Sequence, residues 1–314
     1  EKYIFEQSKI YRNIRNLNNL NKLIYKIFSF NKLRFYSEKY DILIFSPGGF
    51  YEGMLSNLMF KMGKQTYFIE AGIKIYLFLD SQKELEPKPN FLSNINNYFC
   101  SGELSKKMLK SFVGDEGTKI INYGVPRYQK LVSNKRSFSP GTIKELLFLT
   151  SASEYHRMQW EHDWQIDFLE ELVKKLEDRE FILKIKVHPR DASENYLKYQ
   201  NRKNVSILDD TDIDQDILQS DIILAGPSTS LHESSFFGKI YLSIWPLGNE
   251  GGYFIEESHS SNVDELMDSL YELNSDYKRQ KEIYDLQHQL ALKYIHSETD
   301  NSASNIYQHI VRQN

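Results

Sequence analysis

Short apolar runs alternate along the chain with longer segments in which apolar residues recur at helical spacing. The apolar runs predict buried parallel strands, because a strand covered on both faces loses the polar alternation of an exposed one. The predicted strands cover 40–45, 65–69, 97–100, 118–123, 144–149, 181–187, 205–208, 222–225 and 240–244. The predicted helices cover 50–62, 103–112, 164–176, 193–200, 262–273, 276–296 and 302–312, with another opening at 228–230.

This alternation in both halves predicts an α/β fold with two doubly wound, Rossmann-like domains facing a central cleft. The segment 132–141 is polar and carries Ser, Lys, Pro and Gly, so we expect the linker there. The predicted domains are 1–135 and 136–314, and the last helices are able to pack back on the first of them.

The composition of the chain limits which partners and which cellular compartment are expected. The 314 residues carry a net charge of −4, which argues against nucleic acid as the main partner. The single cysteine, Cys100, cannot form an internal disulfide and favours a reducing compartment. No signal-peptide pattern or run of about 18 apolar residues is present, so we expect a cytoplasmic protein without a transmembrane helix.

Residues 1–40 are basic and look helical. Nine Lys and Arg residues against three Glu residues give this segment a charge of +6. One hypothesis is peripheral attachment to the anionic inner face of the cell membrane. An ordinary amphipathic helix with a solvated basic side is the favoured alternative, because the apolar stripe is no wider than a core-facing helix needs. A homodimer is left open.

The most informative stretch begins at Ser220. A buried strand, a turn at Gly226 and Pro227, and a helix start at Ser228, Thr229 and Ser230 follow one another. The amide groups and dipole of such a helix start form a phosphate seat. The same residues fit a helix cap, in which Glu233 completes a capping box with Ser230. The phosphate seat and the helix cap are compatible roles. A second role for Glu233, accepting hydrogen bonds from ribose hydroxyls, is left open.

A second strand ends in His188, Pro189 and Arg190. Pro189 biases His188 towards an extended conformation, and Arg190 can grip a phosphate in bidentate fashion. If this strand neighbours the one before Ser228, both strand ends reach the same phosphate. Ser151, in the hydroxyl-rich end of another strand, is a further candidate phosphate contact.

Three other candidates carry weaker signals. Glu70 ends a strand beside Gly72, which suits a general base with room for a substrate; a cap or surface role is the alternative. Arg127 is either a ligand contact or an ordinary surface residue. The acidic cluster 209–216 fails the EF-hand pattern, so we expect an exposed loop before a helix near Gln215 and no metal site.

The order of these motifs resembles a known group of enzymes. Glu70-Ala71-Gly72, His188-Pro189 and Ser228-Thr229 are similar to the three short motifs of bacterial sialyltransferases and related capsule and lipooligosaccharide transferases. The sequences at 124–127 and 220–223 are also similar to wall teichoic acid polymerases and other GT-B enzymes. The chain departs from the first motif at Ala71, where the family usually has a second acidic residue.

The resemblance implies a GT-B fold and an inverting glycosyltransferase that uses a CMP-activated sugar without metal or other cofactor. Glu70 would be the general base, His188 would contact the phosphate and assist its departure, and Ser228 and Thr229 would bind it. The interpretation of the residues adds Ser151, Pro189, Arg190, Ser230 and Glu233 to the predicted nucleotide site in the C-terminal domain. It also adds Gly72 and Arg127 to the predicted site for an oligosaccharide or glycolipid acceptor.

Two alternatives to this function remain open. One is a polyol-phosphate transferase or a UDP-sugar enzyme of the same fold, such as an epimerase. The other is a non-catalytic protein that keeps the fold and binds a glycan or another synthase.

Overall fold

The computed structural model describes seven stretches of the chain. These stretches are 33–46, 50–71, 94–113, 117–151, 159–248, 252–296 and 301–313. They fall into two compact units, one with the described parts of 1–69, 87–98 and 113–120, the other with those of 70–86, 99–112 and 121–314. Residues 33–39 are helical, but residues 1–32 of the basic segment and Gly72 lie outside the described residues.

The strands form two sheets. They are β1 Ile42–Phe45, β2 Gln65–Ile69, β3 Asn97–Cys100, β4 Lys119–Asn122, β5 Glu145–Leu149, β6 Ile182–Lys186, β7 Val205–Leu208, β8 Ile222–Ala225, β9 Ile240–Ile244 and β10 His259–Ser260. The first sheet has the order β1-β2-β3-β4 and the second the order β10-β9-β8-β5-β6-β7. Every predicted strand is confirmed, with ends shifted by at most two residues. The strand β10 was not predicted, because its two residues contain no apolar run.

All five pairs of neighbouring strands in the second sheet are parallel. Read from β7, its order is that of a Rossmann sheet, in which the third strand of the chain lies at one edge and the first lies in the middle. The central strand β5 pairs with β6 on one side and β8 on the other. The hypothesis that β6 and β8 are neighbours is therefore wrong, since β5 separates them.

Besides the helical residues 33–39, nine helices accompany the strands within the described stretches. They are α1 Phe50–Lys61, α2 Glu103–Val113, α3 Gln129–Ser133, α4 Gln159–Leu176, α5 Ile213–Leu218, α6 Thr229–Phe236, α7 Val263–Ser275, α8 Tyr277–Tyr294 and α9 Ser302–Gln313. The predicted helix over 193–200 is instead two short 3-10 turns, Ser193–Asn195 and Leu197–Tyr199. None of the described helices is both long and apolar enough to span a membrane.

One face of the second sheet forms a hydrophobic core with the helices that cover it. Phe148, Ile185 and Leu224 are buried there with Leu169 of α4 and Leu266 of α7. Each such side chain contributes about 1.5–3 kcal/mol when it is fully buried. This packing fixes the strand ends, and with them the loops that carry the candidate residues.

The predicted linker packs against the helices of the second sheet. Phe138 stacks on Tyr284 of α8 with ring centroids 4.5 Å apart. Gly238, with φ of +70°, lies so close that a Cβ there would be 2.7 Å from the carbonyl oxygen of Ser137. The segment is thus held in place, while the domain boundary at residue 135 stays a prediction.

Candidate functional site

The strand order of the second sheet reverses between β5 and β8. In open parallel sheets, ligands bind outside the carboxyl ends of the strands at such a switch point. Leu149 at the end of β5 pairs with Ala225 at the end of β8, so the two following loops begin at the same level. The candidate site is therefore the edge formed by Thr150 and Ser151 on one side and by 226–228 on the other.

Ser228 is the N-cap of α6. Its backbone is extended, with φ of −144°, and its Oγ accepts a hydrogen bond from the Ser230 amide at 3.3 Å. The cap interpretation is confirmed for Ser228, whereas the capping box between Ser230 and Glu233 is wrong because Ser230 lies inside the helix. The positive end of α6 therefore points at the switch point, which suits an anion.

The His188 ring has a defined hydrogen-bonding state. Its Nδ1 accepts a hydrogen bond from the Arg190 amide at 3.1 Å, so the neutral ring carries its proton on Nε2. The His188 amide donates to Thr150 Oγ1 at 2.8 Å, which ties the loops after β5 and β6 together. Pro189 and Arg190 are exposed beside the ring.

His188 and Ser228 reach the same sheet edge on different strands. Lys186 of β6 and Ala225 of β8 both pair with Leu149. Two strand spacings place the backbones after β6 and β8 about 10 Å apart. Side chains from both loops are therefore close enough to bind one phosphorylated ligand, although β6 and β8 are not adjacent strands.

A buried polar network supports these loops. Gln165 of α4 accepts from the Ser151 amide at 2.7 Å and donates to the Tyr196 hydroxyl at 2.8 Å. The Tyr196 hydroxyl donates to Asp191 at 2.5 Å. Burial, followed by the hydrogen bond to Asp191, raises the pKa of Tyr196, so it remains a neutral donor.

The network limits what Ser151 offers to a ligand. Its amide donates to Gln165, and its Oγ is buried. A phosphate contact by Ser151 stays a prediction. Sequence reasoning missed the role of Gln165, although a polar residue in the apolar stripe of an amphipathic helix was the available signal.

The acidic cluster has a structural role. The helix α5 begins at Ile213, with Asp212 as its N-cap, so the predicted start near Gln215 is slightly late. Asp216 is buried 3.6 Å from the Lys186 ammonium, and it also accepts from the Thr211 hydroxyl at 2.5 Å. In the described stretches, no group of three His, Cys, Asp or Glu residues could hold a metal ion.

Glu70 is buried, with only 1% of its surface exposed. Its Oε2 accepts a hydrogen bond from the Ser101 amide at 2.6 Å, just before α2 begins. Burial raises the pKa of the Cys100 thiol, and the nearby charge of Glu70 raises it further. The carboxylate therefore organises the turn at 100–102, and its role as a base stays a prediction.

Arg127 links two parts of the second unit. Its guanidinium donates to the carbonyl of Ala71 and to Oε1 of Glu233, each at 3.2 Å. Burial raises the pKa of Glu233, and the Arg127 charge opposes that rise. Arg127 is thus held by protein groups, so its contact with an acceptor and the contact of Glu233 with ribose stay predictions.

Solved structures share this architecture. A structure of S. aureus MnaA with UDP aligns with a TM-score of 0.62 and 15% identity, over 91% of this chain and 78% of that one. The fold is GT-B. A UDP-GlcNAc 2-epimerase from Neisseria meningitidis, bound to UDP-GlcNAc, aligns with a TM-score of 0.57 and 16% identity, over 90% of this chain and 81% of the other.

The wall teichoic acid polymerase TagF, soaked with CDPG, has the same GT-B architecture. It aligns with a TM-score of 0.56 and 15% identity, over 87% of this chain and 72% of its own. No family model matches the chain, and no curated protein sequence matches it significantly. These likenesses confirm the predicted GT-B fold with two Rossmann-like domains.

Proposed function

We propose that this protein is a GT-B glycosyltransferase that acts on a nucleotide sugar. The observation that carries the proposal is the switch point of the second sheet. There the N-terminus of α6, capped by Ser228, and the His188 loop reach one edge. A nucleotide phosphate placed at this edge meets backbone amides and the Nε2–H of the imidazole.

The reaction follows from these groups. The acceptor hydroxyl attacks the anomeric carbon, the bond from that carbon to the phosphate oxygen breaks, and the nucleotide leaves with the electron pair. Direct displacement inverts the anomeric centre. Glu70 would take the hydroxyl proton, while His188 and the amides of α6 stabilise the charge that develops on the phosphate. Arg190 adds an exposed cation to that stabilisation.

Two observations favour different donors. The motifs at 70–72, 188–189 and 228–229 resemble those of sialyltransferases and favour a CMP-linked nonulosonic acid. The neighbours with bound UDP and UDP-GlcNAc favour a UDP-sugar, as in an epimerase or a related transferase. We propose the CMP-linked donor, with a bacterial surface glycan or glycolipid as acceptor, and keep the UDP-sugar as second candidate.

Calorimetry with CMP, UDP and CDP tests the proposal. We expect one of these nucleotides to bind at the switch point, and cytidine or uridine, which lack phosphate, to bind at least about 10-fold more weakly. A preference for UDP would replace the CMP donor with the second candidate. Failure of all three to bind would remove the enzyme hypothesis.

Transfer assays separate an enzyme from a binding protein. The protein is incubated with a CMP-sugar or UDP-sugar and a panel of oligosaccharide acceptors. Nucleotide binding without transfer or hydrolysis would favour the non-catalytic alternative. Attachment to a membrane through the basic N-terminal segment, a cytoplasmic location and association into a homodimer stay predictions.

A further inference from the structure

The three tryptophans of the chain meet at the carboxyl edge of the second sheet. Trp245 directly follows β9, and Trp160 and Trp164 lie in the first two turns of α4. The rings of Trp160 and Trp245 have centroids 5.4 Å apart, and those of Trp164 and Trp245 are 5.8 Å apart. Residues from two separate elements thus form one aromatic cluster.

The tryptophan cluster adjoins the phosphate seat. A Cβ built on Gly226 would lie 3.5 Å from the indole of Trp245, so the ring packs against the turn after β8. Gly226 precedes Ser228 by two residues, a reach of at most about 7 Å along the chain. The cluster and the N-terminus of α6 therefore border the same stretch of the sheet edge.

Core packing explains only part of the cluster. Trp245 is 4% exposed, as expected of a core residue, whereas Trp160 is 47% exposed. A single exposed apolar residue is ordinary on a protein surface. Here the exposed indole of Trp160 packs against the buried indole of Trp245 and lies beside a predicted ligand site. Aromatic side chains that line ligand sites are often held in this way.

We propose that Trp160 packs against the apolar C–H face of the sugar ring of the bound nucleotide sugar, with Trp245 holding the indole in place. This inference rests on the proposed function. The phosphate of a nucleotide sugar lies between its nucleoside and its sugar. His188 and Arg190, the proposed phosphate contacts, lie on the β6 side of the seat, and the indoles lie on the opposite β9 side, where the sugar ring would extend.

Calorimetry with matched ligand pairs tests this site. The pairs are UDP with UDP-GlcNAc and CMP with CMP-sialic acid. Trp160→Ala is expected to weaken binding of the nucleotide sugar about 10-fold, the scale of one lost apolar contact, and to leave the free nucleotide unchanged. Trp160→Phe should recover part of the loss. The control is Tyr307→Ala, which removes a 63% exposed aromatic residue from α9.

The outcomes separate this inference from the proposed function. Equal weakening of nucleotide and nucleotide sugar by Trp160→Ala would place the base on the indole and overturn the sugar contact. Unchanged binding of both would show that Trp160 touches neither. Absence of nucleotide binding by the unmodified protein would refute the proposed function itself, and the inference with it.

Discussion

Arg127 and Glu233 form an ion pair between positions 106 residues apart in the chain. The Arg127 side chain is 52% exposed and that of Glu233 only 13% exposed, so the carboxylate carries most of the cost of burial. The same guanidinium holds the carbonyl of Ala71, which follows β2. One side chain thereby joins Ala71 to α6 within the second unit.

This pairing predicts a pH-dependent stability. Burial raises the pKa of Glu233 in the folded protein. The contribution of Glu233 to the unfolding free energy is therefore fully present below the usual carboxyl pKa, and it is lost as the pH rises through the raised folded pKa. Arg127→Met removes the charge that lowers this pKa and should increase the loss of unfolding free energy by about 1 kcal/mol.

Urea unfolding at about pH 4 and pH 8 measures that loss, since the usual carboxyl pKa lies near the lower value. The control is the double variant Arg127→Met with Glu233→Gln, which has no carboxyl group at position 233. It should therefore show no additional loss of unfolding free energy over this pH range. If Arg127→Met and the unmodified protein lose the same free energy over this range, the coupling between the two residues is negligible.

His188 should act through its Nε2–H. In His188→Asn, the side-chain oxygen can still accept from the Arg190 amide, but the Nε2–H donor is missing. We expect turnover to fall about 100-fold, the scale of losing one charge stabiliser, with stability almost unchanged. Turnover and thermal unfolding should be measured on the same samples. Near-full activity would exclude a role for the ring at the phosphate.

Glu70 offers a test that separates chemistry from structure. Glu70→Gln keeps an oxygen that can accept from the Ser101 amide but cannot take a proton. If Glu70 is the general base, turnover should fall at least about 100-fold while the unfolding free energy is retained. Glu70→Ala should also cost about 1–3 kcal/mol of stability, because the Ser101 amide loses its acceptor.

A fully active Glu70→Gln variant would be equally informative. The carboxylate would then serve only to hold the turn before α2, and the base would have to be sought elsewhere. Turnover of the two variants, compared at equal folded fraction, decides between these roles.

The buried pair of Lys186 and Asp216 is expected to matter for stability. Asp216→Asn leaves the Lys186 ammonium buried without its anionic partner, which should cost about 3–5 kcal/mol in unfolding free energy. The matched control is Glu170→Gln, which breaks the exposed pair with Lys198 and should leave stability nearly unchanged. Similar losses in the two variants would contradict the buried-pair argument.

The fold could be predicted largely from local patterns. The strands β2, β7, β8 and β9 begin and end at the predicted residues, because each apolar run is bounded by polar or turn-forming residues. Gly63, which directly follows the predicted helix 50–62, has a φ of +70°. The order of the strands could not be predicted, since the insertion of β5 between β6 and β8 depends on tertiary packing.

The candidate site shows the same division. The cap at Ser228 and the loop at His188 follow from short motifs, because local sequence dictates both conformations. The pairing of Arg127 with Glu233 and the bond from Gln165 to Ser151 join distant segments. Spacing along the chain carries no information about such contacts, so sequence reasoning left Arg127 and Glu233 with separate roles.

The gathering of every indole of the chain at one edge of the second sheet makes the protein its own optical reporter. Residues before Trp160 contribute no tryptophan emission. Fluorescence excited where tyrosine does not absorb therefore senses the surroundings of Trp160, Trp164 and Trp245 alone, and the close rings favour energy transfer from one to another. Quenching by a ligand would report on that edge without any attached dye.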